Sequence, residues 1–149
     1  MPFGSGEPER PIFHIDMEMP PNEDDRQELA NALLAYSHAR YGDPTARPVG
    51  FFLRSDDGGL RGGLTGNVRW GWLYIEMLWV RGDLRGQGYG SRLLVDAEEF
   101  ARASGAVAVH LDTGGEDALP FYRRRGYEVF GTLEGFPPGS RQYFLRKLL

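Results

Sequence analysis

The chain contains no cysteine among its 149 residues. Disulfides, thiolate metal ligands and any route that parks an acyl or phosphoryl group on sulfur are therefore excluded, and group transfer would have to be direct. No block of Lys and Arg stands out, and the net charge is −4 with a pI near 5.4. That balance argues against a nucleic-acid surface and suits a neutral or cationic partner. No run approaches the ~18 apolar residues of a membrane span, and the start MPFGSGEPERP lacks the apolar stretch of a leader, so the expectation is a cytoplasmic protein with no membrane contact. Repeats and linkers are missing as well. A single domain over 1–149 is expected, with the Gly/Pro-rich residues 1–10 as a flexible tail.

Several catalytic signatures are absent. The three histidines (14, 38 and 110) are far apart and show no H-x-x-x-H spacing, so no metal site is expected; only His110 lies on a strand that could face a cleft. There is no G-x-S-x-G elbow for a serine nucleophile. There is no Gly-Lys-Ser/Thr of a P-loop, and the dinucleotide pattern G-x-G-x-x-G fails because Ser91 stands at its last glycine.

With 41% apolar and 13% aromatic residues, the chain is globular in composition. PIFHIDMEM (11–19) alternates apolar with polar and reads as a strand, and 26–41 reads as an amphipathic helix with Leu29, Leu33, Tyr36 and Arg40 on one stripe. PVGFFLRS and LTGNVRWGW flank the turn signal DDGG (56–59), which predicts an antiparallel hairpin. WLYIEMLWV is apolar on both faces and predicts a central strand. A helix follows at 91–103, burying Leu93, Leu94, Ala97, Phe100 and Ala101, then a strand at 106–113, parallel to the first across a crossover. A short helix (117–126) and two alternating strands, separated by EGFPPGS, complete the order.

The most informative segment is RGQGYGS (85–91), between the central strand and the helix. Gly86, Gly88 and Gly90 remove the side chains that would keep a ligand off the backbone, and the loop opens into a helix N-terminus, where free N–H groups and the helix dipole favour an anion such as a pyrophosphate. Arg85, Gly88 and Gly90 form Arg-x-x-Gly-x-Gly, and Ala118 and Tyr122 form Ala-x-x-x-Tyr followed by a basic stretch and Gly-aromatic.

This combination, with the order of elements around it, resembles the GNAT superfamily of N-acetyltransferases, closely over about residues 70–130. The resemblance implies an α+β, α/β/α sandwich: a mixed, mostly antiparallel sheet of about seven strands, flanked by helices, with a splayed parallel pair at its centre. It implies acetyl-coenzyme A as co-substrate and no metal. The pyrophosphate would lie on the loop Arg85, Gly86, Gln87, Gly88, Tyr89, Gly90 and Ser91. The pantetheine arm would run beside Leu78, Trp79 and Val80 as an added strand, near Phe121. Where the family often has an Asn three residues before the helical alanine, this chain has Gly115, which is kept among the cofactor-side candidates without that side chain. A homodimer through the C-terminal strands is an expectation of the resemblance alone.

Tyr122 matches the family tyrosine that meets the departing thiolate; a phenol is a weaker acid than a thiol by roughly 2 kcal/mol, so hydrogen bonding is favoured over full transfer. Packing by Phe121 and Tyr122 is the alternative. Glu76, the ionisable residue of YIEMLWV, is a candidate base for an amine nucleophile, or else a partner of Arg69 or Arg54 or a solvated sheet end. The resemblance implies a small-molecule or peptide primary amine as acceptor, and Glu76, Glu116, Asp117 and the EDD segment suit a cationic one. A coenzyme A-binding sensor that has lost the chemistry is the other reading.

Overall fold

A computed structural model describes residue 6 and residues 8–149. The expected tail, 1–10, lies mostly outside the described residues. The chain forms two compact units, Met1–Gly42 and Asp43–Leu149.

The first unit holds one helix, α1 (Glu23–Tyr41). Asn22 caps it, its side-chain oxygen accepting from the Asp24 and Asp25 N–H groups at 3.0 and 3.1 Å. Gly42 ends it with φ +85°, a conformation that suits a residue lacking Cβ. None of the α1 side chains is buried. The strand expected at 11–19 does not form, and those residues are irregular. Alternation says which side chains would share a face; it does not supply the hydrogen-bonding neighbour that makes a strand.

The second unit is a sheet of six strands rather than seven: β1 (Arg47–Arg54), β2 (Leu60–Arg69), β3 (Trp72–Val80), β4 (Ala108–Gly114), β5 (Glu128–Glu134) and β6 (Arg141–Leu148), in the order β1-β2-β3-β4-β6-β5. All pairs are antiparallel except β3 with β4. The DDGG turn closes β1 on β2, where the Gly58 N–H donates to the Ser55 carbonyl. The fold class is the expected α+β one, with helices α2 (Tyr89–Ala103) and α3 (Leu119–Arg123). These connect β3 to β4 and β4 to β5.

The core joins α2 to the sheet. Leu94, Ala97 and Ala101 of α2, Leu64 of β2, Leu73 of β3, Val109 of β4 and Leu145 of β6 are all fully buried in one cluster that also holds Leu119 and Tyr122 of α3. Burying a leucine of this kind contributes about 2 kcal/mol. The i, i+4 spacing of α2 thus sets its angle on β3, and with it the direction in which its N-terminus points.

Two irregularities interrupt the pairing of β3. Its register against β2 slips, Thr65 facing Met77 while Gly66 faces Ile75, so Glu76 is the extra residue of a β-bulge. Its pairing with β4 covers only Trp72↔Ala108 to Tyr74↔His110. Beyond that point β3 continues beside β2, and β4 beside β6, so a wedge opens between them.

Candidate active site

Three cavities run along this wedge. The first, about 390 Å³, lies at the start of α2 and is lined by Gly86, Gly88, Gly90 and Ser91 together with Arg124 and Arg125. The second, about 310 Å³, shares Val80, Arg85, Gly90 and Phe121 with it and adds Leu78, Trp79, Asp117, Ala118 and Tyr122. The third, about 470 Å³, shares Leu78, Trp79 and Tyr122 with the second and adds Glu76, Asp112, Thr113 and Gln142. Shared walls make them one cleft, from the helix terminus to the bulge.

The first cavity has a lining that suits an anion. Gly86 and Gly88 take φ +75° and +88°, turning the chain so that backbone rather than side chains faces outward. No side chain caps α2, and among the described residues the N–H groups of Gly86 to Ser91 have no protein partner. Unsatisfied donors at a helix N-terminus, backed by its dipole and two arginines, suit a phosphate or pyrophosphate. A Cβ at Gly90 would meet the Phe121 ring at 3.5 Å, which keeps the α2 start close to α3. Arg85 is held back along the strand, its Nε donating to the Val80 carbonyl at 3.0 Å. Gln87 turns away to the Asp83 carbonyl at 3.2 Å.

Tyr122 projects from α3 to the boundary of the second and third cavities. It is 6% exposed, and its ring lies edge-on between those of Phe121 at 5.0 Å and Tyr127 at 5.7 Å. Burial pushes its pKa up to about 12. The hydroxyl makes no hydrogen bond to the described residues, so its donor remains free.

Glu76 is exposed, because the bulge swings it out of the strand's regular alternation. Among the described residues it forms no ion pair to Arg54 or Arg69. Asp112 of β4, which the sequence reading did not single out, stands in the same cavity. Its two oxygens accept from Gln142 Nε2 at 2.8 Å and Tyr74 Oη at 3.2 Å, both neutral donors. Burial, and secondarily the Asp112 charge, raises the Tyr74 pKa. The available signal was that Asp112 is the only carboxylate in AVAVHLDT, two residues from His110 and so on its face.

His110 stacks on Tyr74 at 4.9 Å and lies outside the three cavities. Gly115 lies at the end of β4, its N–H donating to the Arg141 carbonyl at 2.8 Å, and it also lines none of them. Glu116 is already occupied: Arg141 binds it at 3.3 Å and Glu134 at 2.8 Å, and the Tyr143 hydroxyl donates to Glu116 at 3.0 Å. Among the described residues no group of His, Asp and Glu is arranged to hold a metal ion.

A parallel pair that splays into a cleft, with the free N–H groups of a helix terminus at one end and a buried phenol midway, is the frame of this candidate site. The chain belongs to the GNAT acetyltransferase family, whose description, Acetyltransferase (GNAT) family, matches residues 10–127. It is 38% identical over 119 residues to acetyltransferase Atu2258 of Agrobacterium fabrum (strain C58 / ATCC 33970), covering 80% of this chain and 87% of that protein. It is also 38% identical over 108 residues to the blasticidin-S acetyltransferase of Streptomyces morookaense, covering 70% of this chain and 79% of the relative. The crystal structure of an acetyltransferase from Bacillus cereus ATCC 14579 superposes with a TM-score of 0.82 at 28% identity, over 92% of this chain and 98% of that one.

Proposed function

We propose that the protein is an N-acetyltransferase that moves acetyl from acetyl-coenzyme A directly to a primary amine of a small molecule or peptide. The observation that carries this reading is the continuity of the cleft, from the unsatisfied N–H groups of Gly86 to Ser91 to the cavity that Glu76, Asp112 and Tyr122 share. Acetyl-coenzyme A supplies the activated acetyl thioester. The cradle and Arg124 and Arg125 suit its phosphates, and the β4-facing edge of β3 from Leu78 to Val80, which pairs with no strand among the described residues, suits the pantetheine amides.

An amine at neutral pH is mostly protonated, so attack requires a base. Glu76, exposed at the bulge and without a salt-bridge partner among the described residues, takes that role directly or through water. Backbone N–H groups of β3 around residues 76–80 steady the developing oxyanion. Tyr122 assists the departing thiolate by donating a hydrogen bond. With its pKa near 12 against about 8.5 for a thiol, complete proton transfer would be uphill by about 5 kcal/mol, so the phenol stabilises the thiolate without yielding its proton to it.

Two carboxylates facing one cavity, Glu76 and Asp112, with no cation paired to either among the described residues, favour a cationic acceptor. The blasticidin-S relative favours a small molecule over a protein. We carry over a homodimer and a cytoplasmic location as expectations of the resemblance and the composition. The test is thiol release from acetyl-coenzyme A across a panel of polyamines, aminoglycoside-like and nucleoside antibiotics and lysine peptides, with products read by mass spectrometry. Acetylated product from a cationic amine is expected. Tight coenzyme A binding with no release for any amine would replace this reading with a sensor.

A further inference from the structure

Glu98 is the one buried charged side chain among the described residues, 4% exposed on the core face of α2, and none of the chemistry above uses it. Burying a carboxylate is costly unless its oxygens are filled. Here they are. Lys147 of β6, the only lysine of the chain, donates to Oε2 at 2.8 Å and to Oε1 at 3.1 Å, and the Tyr127 hydroxyl donates to Oε1 at 3.1 Å. Arg102, half exposed on the same helix, reaches Oε2 at 4.0 Å.

Tyr127 in turn holds Tyr122. Its backbone N–H donates to the Tyr122 carbonyl at 3.1 Å, and the two rings meet edge to face at 5.7 Å and 70°. Lys147 Nζ also lies over the Tyr127 ring at 5.5 Å. Glu98 therefore ties three elements at one point: the helix whose first turn is the anion cradle, the last strand, and the segment that fixes the ring of Tyr122. A hydrophobic residue could fill the same volume at less cost in desolvation. What it could not do is fix one angle of the Tyr127 ring, since dispersion contacts are not directional and a hydrogen bond is.

The geometry points to the Glu98–Tyr127–Lys147 cluster as a positioning device for Tyr122, setting where its hydroxyl sits relative to the start of α2. Glu98, Tyr127 and Lys147 are positioning residues; none lines the cleft. This rests on the role of Tyr122 proposed above, and a double-mutant cycle separates the two. Tyr127→Phe keeps the ring and loses the donor. With all variants assayed well below their melting temperatures, it lowers kcat about tenfold and leaves KM for acetyl-coenzyme A within about twofold, as expected of a misplaced catalytic group. In a Tyr122→Phe background the same change costs less than about twofold, because there is no hydroxyl left to place. Glu98→Gln, which still accepts from Tyr127, retains more activity than Glu98→Leu; should the leucine variant not fold, the Tyr127→Phe cycle stands alone.

A tenfold loss in both backgrounds, or a lower melting temperature with kcat unchanged, would overturn the positioning role while leaving Tyr122 in the mechanism. Equal losses for Glu98→Gln and Glu98→Leu would overturn it by assigning the effect to charge. A Tyr122→Phe variant that loses no activity would remove the phenol from the mechanism and this cluster's purpose with it.

Discussion

Tyr122 and Gly88 illustrate two kinds of residue in this site. In the proposed mechanism Tyr122 acts through one atom: Tyr122→Phe preserves the packing against Phe121 and Tyr127 and removes the donor. Turnover falls about 10²-fold with acetyl-coenzyme A affinity nearly unchanged, as steady-state kinetics beside calorimetric binding would register; equal turnover would end its role. The role proposed for Gly88 is one of its backbone. Nothing lies within 4 Å of a Cβ built there, so Gly88→Ala meets no clash, only the strain of φ +88°. That strain is about 1 kcal/mol. Relaxing it turns the N–H groups of the cradle, so KM for acetyl-coenzyme A rises several-fold while kcat is kept. An unchanged KM would mean that the loop does not hold the donor.

At the scale of elements, the bulge in β3 is where fold becomes site. It needs Gly66 on β2: a Cβ there would lie 2.6 Å from the Tyr74 carbonyl oxygen, an atom of the neighbouring backbone that cannot rotate away. Gly66→Ala forces the two strands apart next to Glu76 and destabilises the protein by about 2 kcal/mol, in the usual range for overpacking. A lower urea midpoint together with a lower kcat is expected, with coenzyme A binding at the far end of the cleft less affected. Full activity in a destabilised variant would separate the bulge from catalysis. Glycine inside a strand pattern is the sequence sign of such a place, yet LTGNVRW shows neither which neighbour approaches nor that the unpaired Glu76 of the bulge lies next to it.

For the second unit taken whole, His110 offers a readout through stability. Burial lowers its pKa, the Arg69 charge lowers it further, and Asp112 opposes both. The unfolded chain, with histidine near 6.5, therefore binds the proton more readily than the folded one. The stability associated with neutral His110 is intact above about pH 6.5 and declines as the pH falls below that value. His110→Phe, which keeps the stack on Tyr74 and cannot be protonated, flattens the urea midpoint between pH 7 and 5. Equal slopes in both proteins would assign the acid loss to other groups.

Much of this protein was legible before folding. The glycine loop, the helix behind it, the hairpin at DDGG and the parallel crossover are local patterns, in which a few neighbouring residues have one physically comfortable arrangement, and RGQGYGS together with Ala118, Tyr122 and the order of elements around them pointed to the family. Residues 11–19 were misread because a strand is a relation between segments and alternation describes only one of them. The proposed donor site thus rests on short-range chemistry written in order along the chain. Tertiary structure alone decided that β3 and β4 part after Tyr74, that Glu76 stands exposed on a bulge, that Asp112 joins it while Glu116 is taken by Arg141, and that Glu98 reaches Tyr122 through Tyr127. Each of these is a meeting of residues distant in sequence, fixed by register and packing, and no pattern along the chain carries that information.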